Sequence, residues 1–410
     1  MIRYRAGWVL PIGGRPIRDG CVTVDRGRVA AVGRRTPSDD GRDIDLHDAA
    51  VMPGLVNAHT HLELSYLRGQ VPAAPEFVTW IRRVIMARRE RPDPRAREIL
   101  DGVEAGVADA VRCGTAIVGD ISNTLVTFAP LVASPLAAVV FFELIRFNAP
   151  DAVVMVEQAR RDLEALGPTD RVRASLAAHA PYSVSPRLFH AIREAMGGNP
   201  KAPCSVHLSE SVEEVEFIRT GVGPWRALLE ELGSWDPTWT PPGRSPVDFL
   251  DNSGFLDARV LAVHGVQMTS GDLARLAARG STLVTCPRSN AHTGAGAPPI
   301  EAFYRSGVRV AIGTDSLAST PDLNVFAELA AVRALAPSVP AAVLLDSATR
   351  QGARALGFEA DYGTIEPGKS ARLIAVDVPP RIDDVEEYLV GGIQPDQIRW
   401  LEEPGDLVVG

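Results

Sequence analysis

Short apolar segments of strand character alternate with longer helical segments, rich in Ala, Leu, Arg and Glu, between residues 50 and 313. An apolar run of four to eight residues is typical of a strand that is buried on both faces. Eight such strands are predicted, at residues 50–56, 115–120, 137–143, 172–178, 204–207, 260–264, 282–286 and 308–313. Eight strands with intervening helices predict an α/β fold, the (β/α)8 TIM barrel, whose functional residues lie at the carboxyl ends of the strands.

The two ends of the chain have a different, β-rich pattern. Short β-type runs at residues 20–24 and 28–32 are separated by turns, and residues 363–376 return to β character. We expect both ends to join in one small sheet assembly. The predicted division is residues 1–53 plus 362–410 for this assembly and residues 54–361 for the barrel. Residues 234–246, rich in Pro and Trp, predict a long loop, and such loops are often lids or binding elements.

Composition and charge exclude several classes of function. Lys and Arg number 42 against 51 Asp and Glu, and the net charge of -9 is spread along the chain. This balance argues against nucleic acid and anionic membrane as partners. The longest apolar run, residues 131–145, is interrupted by polar residues and is too short to span a bilayer. The N-terminus has no apolar signal core, so the cytoplasm is the expected location, and four widely spaced cysteines predict neither disulfides nor a thiolate zinc site.

Two histidines separated by one residue follow the first predicted barrel strand. Side chains two residues apart on an extended segment point to the same face, so His59 and His61 can bind one cation. For the pair alone, hydrogen-bonded turn histidines would be the better interpretation. Two further strands, however, end in His207 and Asp315, which completes a set of three histidines and one carboxylate. Such a set predicts a bound divalent metal ion, with room for a water whose pKa the metal lowers toward ~7.

Hydrolysis that expels an amine also needs a group that moves protons. Glu210 lies three residues after His207 and can carry the water proton to the leaving group; otherwise it is a solvated residue in the first turn of a helix. His264 ends another predicted strand, where it can hydrogen-bond the attacking hydroxide or the oxyanion, and its alternative role is structural. Asp315 would act both as metal ligand and as base. The predicted catalytic residues are therefore Glu210, His264 and Asp315.

With these motifs the chain resembles the amidohydrolase superfamily, in particular its cytosine deaminase-like and chlorohydrolase-like group, over nearly its whole length. The motifs are residues 53–61 (PGLVNAHTH), 207–210 (HLSE), 286–290 (CPRSN) and 313–316 (GTDS). The resemblance implies a distorted (β/α)8 barrel with a composite β-sandwich formed by both termini. It also implies a metal-dependent hydrolase that acts on a carbon–nitrogen bond of a small-molecule substrate, and it is compatible with a homo-oligomer.

One departure from the superfamily pattern bears on the number of metal ions. Members with two metals bridge them by a carboxylated lysine on the fourth strand, whereas residues 174–179 here read ASLAAH. The only lysines are Lys201 and Lys369, and neither is placed for that bridge. The resemblance therefore implies a single metal ion, with zinc as the first expectation and iron as the second.

The loops look most like those of the aminodeoxyfutalosine deaminases of the alternative menaquinone route, and also like those of methylthioadenosine and S-adenosylhomocysteine deaminases. All of these replace the 6-amino group of an adenine ring by oxygen. The expected substrate contacts are Glu63, His179 and Arg288. Arg288 could pair with a carboxylate, which aminodeoxyfutalosine and S-adenosylhomocysteine carry, or form a structural ion pair. Three tryptophans could stack on the base or cover the barrel mouth: Trp80, Trp235 and Trp239.

Other functions stay open at this point. The same scaffold supports guanine deamination, and hydrolysis of an amide or of a triazine carbon–chlorine bond. A non-enzymatic protein that has kept the barrel is the alternative from another class. That alternative predicts lost metal ligands, and none of the four ligands is lost from this sequence.

Overall fold

The computed structural model of the protein describes residues 1–34, 41–197 and 202–401, and Lys201 lies outside these ranges. Its strands form two sheets. The chain begins with five strands of the terminal sheet: β1 Ile2–Val9, β2 Ile17–Asp25, β3 Arg28–Arg34, β4 Arg42–Asp45 and β5 Ala49–Pro53. The barrel strands follow: β6 Leu55–Thr60, β7 Thr115–Ser122, β8 Ala137–Leu144, β9 Val172–Ala178, β10 Cys204–Leu208, β11 Val260–His264, β12 Thr282–Thr285 and β13 Arg309–Ile312. Two strands complete the terminal sheet: β14 Leu373–Asp377 and β15 Ile398–Trp400.

The eight barrel strands pair in sequence order, all parallel, and the last strand returns to the first. The backbone N–H groups of Thr314 and Asp315 donate to the carbonyl oxygen of His59 at 3.1 and 3.0 Å. Gly313 permits this closure, because a Cβ there would lie 2.8 Å from the Cβ of His59. The predicted (β/α)8 barrel is therefore confirmed, and its closure brings Asp315 beside the first strand.

The strands from the two ends of the chain form a second, separate sheet. Its order is β15-β14-β5-β1-β2-β3, with β4 paired to β1. Apolar side chains from both ends share one core cluster, which includes Val9, Val51 and Leu373. The expectation that the two ends join in one sheet assembly is confirmed. We retain the division at residues 53/54 and 361/362 as a proposal, and residues 402–410 lie outside the described part of the chain.

The prediction of one strand over residues 50–56 is wrong. The segment contains the end of β5 and the start of β6, which belong to different sheets. Gly54 joins the two strands. A larger residue would not fit there, because its Cβ would lie 2.7 Å from the Cβ of Ala116. Because both strands are completely buried, hydrophobicity alone could not mark the boundary. The other seven predicted barrel strands are present, with each end within two residues of the prediction.

The helices pack outside the barrel, and several begin at sequence signals. Ser185 accepts the N–H of Leu188 at the start of one helix, and Thr269 forms a capping box with Asp272 at another. In the described ranges, no helix combines the length and the apolar character that a membrane span needs. The helices are α1 Phe77–Arg89, α2 Arg97–Arg112, α3 Phe128–Ala133, α4 Ala152–Ala165, α5 Pro186–Met196, α6 Val212–Thr220, α7 Pro224–Glu231, α8 Pro246–Asn252, α9 Ser270–Arg279, α10 Pro287–Thr293, α11 Ile300–Arg305, α12 Val325–Leu335, α13 Ala341–Asp346, α14 Gly352–Ala355 and α15 Val385–Leu389, with short 3-10 turns at Leu62–Leu67 and Pro395–Gln397 and a π-helical turn at Ser347–Gln351.

Candidate active site

The four predicted metal ligands converge at the carboxyl end of the barrel. His59 lies in β6 and His61 follows it, His207 lies in β10, and Asp315 follows β13. The Nε2 atom of His61 lies 3.3 Å from Nε2 of His207 and 3.5 Å from Oδ1 of Asp315. The Nε2 atom of His59 lies 3.9 Å from the same carboxylate oxygen. The structure therefore brings together residues that are up to 256 positions apart in the chain.

The ligand atoms of this cluster suit a cation. His59 is completely buried, and neither of its ring nitrogens has a hydrogen-bond partner. The Nδ1 atom of His207 donates to the carbonyl oxygen of His179 at 2.9 Å, which leaves the Nε2 lone pair of the neutral ring free for a metal. Three sets of ligand atoms lie within 4.8 Å of one another among the described residues: His59, His61 and Asp315; His59, His207 and His264; and Glu143, His179 and His207. These residues fit a divalent metal ion with nitrogen and oxygen ligands.

Burial keeps the histidine rings of the cluster in their neutral form. It lowers the pKa of His59 and of His61 well below the ordinary value, and the neighbouring rings add to the effect. Burial likewise lowers the pKa of His207 to about 4. Protons are therefore weak competitors for these ring nitrogens across the physiological range.

Metal affinity is consequently expected to change little with pH. Three rings with an ordinary pKa of about 6.5 would each be about 90% protonated at pH 5.5 and would together weaken binding about 1,000-fold. With the lowered pKa values, the rings stay neutral as the pH falls, and we expect a loss below about tenfold between pH 7.5 and pH 5.5. Competition titration of zinc against a chelator at several pH values measures this. A loss near 1,000-fold would show that the rings titrate normally.

Glu210 and His264 face each other beside the metal cluster. Oε1 of Glu210 lies 3.4 Å from Nε2 of His264, and both residues are buried. Burial, the carboxylate of Asp315 and that of Glu214 raise the pKa of the Glu210 carboxyl well above its ordinary value. The alternative of a solvated residue in a helical turn is excluded, because Glu210 precedes α6 and is 3% exposed. A carboxyl group that is readily protonated thus lies next to the metal cluster.

Two residues of the segment 286–290 support the site, although we did not predict them. The Oγ of Ser289 donates to Oδ2 of Asp315 at 2.6 Å, and Nδ1 of His264 donates to Oδ1 of Asn290 at 2.8 Å. The first bond orients the carboxylate of Asp315, and the second orients the ring of His264. The motif of residues 286–290 is itself the sequence signal that points to these two residues. Backbone strain accompanies this arrangement, since His264 and Asp315 have φ angles of 77° and 62°.

Removal of the Ser289 hydroxyl is expected to weaken the site without removing a ligand. In Ser289→Ala, one oxygen of Asp315 loses its donor, and we expect metal affinity or kcat to fall about 10- to 100-fold. Metal titration and steady-state kinetics measure the two effects. Ser338→Ala is the matched control, because the Ser338 hydroxyl bonds Glu301 at an exposed position. Equal behaviour of the two variants would show that Ser289 does not orient Asp315.

A cavity of about 360 Å³ opens from the metal cluster toward solvent. Ligand sites of enzymes commonly have volumes of ≈ 300–1,000 Å³. Its inner end contains His61, His207, Glu210, His264 and Asp315. Three of the four predicted metal ligands and all three predicted catalytic residues therefore line the space in which a small molecule would bind, whereas His59 is completely buried and is not part of the cavity wall.

Of the three predicted substrate contacts, His179 lines the cavity and Arg288 does not reach it. Nε of Arg288 donates to Oε1 of Glu328 at 2.6 Å, and Nη1 donates to Oδ1 of Asp322 at 2.8 Å. Glu328 is completely buried, so its charge requires this partner. The structure thus gives Arg288 the structural ion pair, and its assignment as a substrate contact needs correction.

Glu63 also has structural partners. Its carboxylate accepts hydrogen bonds from the hydroxyls of Ser122 and Thr124 at 2.7 and 2.9 Å, and from Nη2 of Arg88 at 3.1 Å. The backbone N–H groups of Asn123 and Thr124 donate to it as well. A carboxylate with this many donors has little capacity left for a substrate. Glu63 therefore holds in place the loop after β7 and the side chain of Arg88, which lines the cavity.

Of the three tryptophans singled out in the sequence, one lines the cavity and two lie on the predicted loop. Trp80 lines the cavity, as does Trp225, which stacks on Tyr182 at 3.6 Å between ring centroids. Trp235 stacks on Phe147, and Trp239 stacks on Phe217 with the ring planes 8° apart. Trp235 and Trp239 thus pack the predicted loop, residues 234–246, against the apolar cluster around the cavity.

The fold and the cluster together define the class of this protein: a metal-dependent hydrolase built on a (β/α)8 barrel. Comparison with known sequences gives the family. The chain belongs to the Amidohydrolase family, which it matches over residues 50–398. The recognition of this superfamily from four short motifs is therefore confirmed.

Three individual proteins that are similar to this chain are deaminases by name. The chain is 36% identical to aminodeoxyfutalosine deaminase of Deinococcus radiodurans over 322 residues, 75% of this chain and 74% of the relative. It is 30% identical to 5-methylthioadenosine/S-adenosylhomocysteine deaminase of Moorella thermoacetica over 406 residues, 93% of this chain and 88% of the relative. The crystal structure of an adenosine deaminase from Xanthomonas campestris with bound zinc matches with a TM-score of 0.81 and 29% identity, covering 97% of this chain and 90% of that one.

Proposed function

We propose that the protein is a metal-dependent hydrolytic deaminase that replaces the amino group of an adenine-type ring by oxygen and releases ammonia. The observation that carries this proposal is the buried Glu210 carboxyl, which lines the cavity 3.4 Å from His264 and beside the metal cluster. An amine leaves readily only after it has gained a proton, and a protonated carboxyl at this place can supply it. The deaminase names of the relatives agree with this reaction.

The metal that we propose is a single zinc ion, held by His59, His61, His207 and Asp315. Three neutral imidazoles and one carboxylate are ligands that zinc accepts, and the related adenosine deaminase structure contains zinc. A divalent cation at this place supplies Lewis acidity, which lowers the pKa of a coordinated water to about 7. Metal analysis of the purified protein, with zinc and iron reconstitution, tests the identity of the ion.

The side chains around the metal cluster transfer the protons of the reaction. The Glu210 carboxyl donates a proton to a ring nitrogen of the substrate, takes one from the attacking water, and transfers it to the departing amine. His264 is held by Asn290 so that its Nε2 atom faces Glu210. Asp315 accepts the remaining proton of the water, and the return of this proton to Glu210 after ammonia has left restores the starting carboxyl group. The sum of these transfers is one water consumed and one ammonia released.

The best specific substrate is 6-amino-6-deoxyfutalosine, with methylthioadenosine and S-adenosylhomocysteine as alternatives. The relative with 36% identity acts on the first by its name, and the relative with 30% identity acts on the others. Ammonia release from these three compounds, adenosine and guanine by the metal-loaded enzyme ranks them. The proposal expects the highest kcat/KM for aminodeoxyfutalosine. A preference for guanine would contradict the adenine-type assignment.

A further inference from the structure

A sharp turn of the backbone links β10 to α6 and places Glu210 in the wall of the cavity. This turn, residues 208–210, runs from the last residue of β10 to the residue before Ser211, the N-cap of α6. In its middle, Ser209 has a φ angle of 54°, in the left-handed region that residues other than glycine seldom adopt. Such a conformation persists only where the surrounding structure holds it. The contacts that hold the 208–210 turn therefore determine where the Glu210 carboxyl lies.

The carboxylate of Glu214 holds the 208–210 turn from the side of α6. Its Oε1 atom accepts the backbone N–H of Ser209 at 2.9 Å, and its Oε2 atom accepts the backbone N–H of Glu210 at 2.8 Å. Glu214 is completely buried. Hydrogen bonds to an ionised carboxylate are stronger than those between neutral groups. Both oxygens of Glu214 thus bind the two backbone groups that set the direction of the Glu210 side chain.

The loop after β11 holds the other side of the same turn. The backbone N–H groups of Gly265 and Gln267 donate to carbonyl oxygens of the turn at 3.1 and 2.8 Å. This loop begins directly after His264, whose Nε2 atom lies 3.4 Å from Oε1 of Glu210. Because the turn is held from both sides, the spacing between Glu210 and His264 depends on both sets of hydrogen bonds.

Capping of α6 alone does not account for the bonds of Glu214. Ser211 is the N-cap residue, and its hydroxyl accepts the backbone N–H of Glu214 at 3.3 Å. A capping box needs only the backbone N–H of the N-cap residue, whereas the Glu214 carboxylate reaches one and two residues further back. Glu214 is also not part of the cavity wall. Its effect on the reaction therefore passes through the turn that carries Glu210.

We propose that Glu214 is a positioning residue, whose two backbone hydrogen bonds hold the 208–210 turn so that the Glu210 carboxyl stays beside His264 and the metal cluster. This inference rests on the proposed function, because it assigns the support of the group that transfers the protons. Two carboxyl groups four positions apart then have separate roles: Glu210 exchanges protons with the reactants, and Glu214 fixes the place at which it does so.

The test compares Glu214→Gln with the wild-type holoenzyme on aminodeoxyfutalosine. Glutamine offers one acceptor oxygen in place of two, so one of the two backbone N–H groups loses its bond. We expect kcat to fall about 10- to 100-fold, since a misplacement of about 1 Å can cost about 100-fold in rate. KM should change less than about threefold and the metal content should stay unchanged, because Glu214 neither lines the cavity nor belongs to the sets of metal-ligand atoms. Glu213→Gln, which changes the neighbouring buried carboxylate of α6, is the matched control and should keep kcat within about threefold of wild type.

A double-variant cycle separates positioning from a general loss of structure. Because Glu214 acts through Glu210, the addition of Glu214→Gln to Glu210→Gln should lower kcat by less than about a further threefold. A further loss as large as that of Glu214→Gln alone would overturn the positioning role, and so would an unchanged kcat in Glu214→Gln. If Glu214→Gln does not fold, Glu214→Asp, which keeps the charge on a shorter side chain, replaces it in the same cycle.

Hydrogen exchange of the backbone amides tests the same inference without any turnover. The amides of Ser209 and Glu210 should be protected in wild type, and at least one of them should exchange about tenfold faster or more in Glu214→Gln. Equal exchange rates in the two proteins would overturn the role of Glu214 and leave the deaminase proposal intact. Absence of ammonia from every adenine-type compound would overturn the deaminase proposal, and the exchange rates would still decide whether Glu214 holds the turn.

Discussion

Glu210→Gln is expected to lower kcat about 1,000-fold while the metal content stays unchanged. Glutamine has nearly the size of glutamate but cannot take up and release a proton, so the variant loses proton transfer and keeps the packing. Glu210 does not belong to any of the three groups of metal-ligand atoms, and its Oε1 atom lies 3.4 Å from Nε2 of His264. Steady-state kinetics with aminodeoxyfutalosine and metal analysis of the same samples measure both quantities.

Glu216→Gln is the matched control for this experiment, because Glu216 lies on α6, close in the chain, and is exposed. It should keep nearly full activity. The neutral amide at position 210 should leave the thermal midpoint similar or slightly higher, since the buried carboxyl is costly in its charged form. Turnover within tenfold of wild type would remove Glu210 from proton transfer.

His61→Ala is expected to weaken metal binding strongly and to lower turnover with it. The variant removes one of the four proposed ligands, and the remaining two imidazoles and one carboxylate hold zinc less tightly than the full set. His61 is a better choice than His59, because His59 is completely buried and its loss would leave a cavity in the barrel. We expect the bound metal to fall to a small fraction of the wild-type content, and kcat to fall at least about 1,000-fold.

A histidine outside the site provides the control. His190 lies on α5 and is exposed, so His190→Ala should keep the metal content and activity of wild type. Treatment of wild type with a chelator should reproduce the loss seen in His61→Ala, and added zinc should reverse it in wild type only. Full metal content in His61→Ala would exclude His61 as a ligand.

The metal ligands could be predicted because each has a local signal in the chain. His59, His207 and Asp315 stand at or just after the carboxyl ends of buried strands, and the parallel barrel brings these ends together. Apolar runs separated by helices are sufficient to find such strands. The order of the strands then follows from the chain order, so the inner end of the site was predictable before any contact was known.

Contacts between distant residues could not be predicted in the same way. Arg288 carries a positive charge within the motif of residues 286–290, but its partner Glu328 lies 40 positions later and is paired with it only by the packing of α10 against α12. Asn290 and Ser289 are small polar residues whose roles depend on the positions of His264 and Asp315. The break at Gly54 depends on the close approach of Ala116, which no local pattern records.

The most direct test of the central claim is the reaction of aminodeoxyfutalosine with the zinc-loaded enzyme in ¹⁸O-labelled water. The proposed mechanism expects one ammonia released and one ¹⁸O atom incorporated, at the ring carbon that carried the amine, for each product formed. Glu210→Gln should show neither at a comparable rate. Product without labelled oxygen, or no ammonia from any adenine-type compound, would contradict hydrolytic deamination at this site.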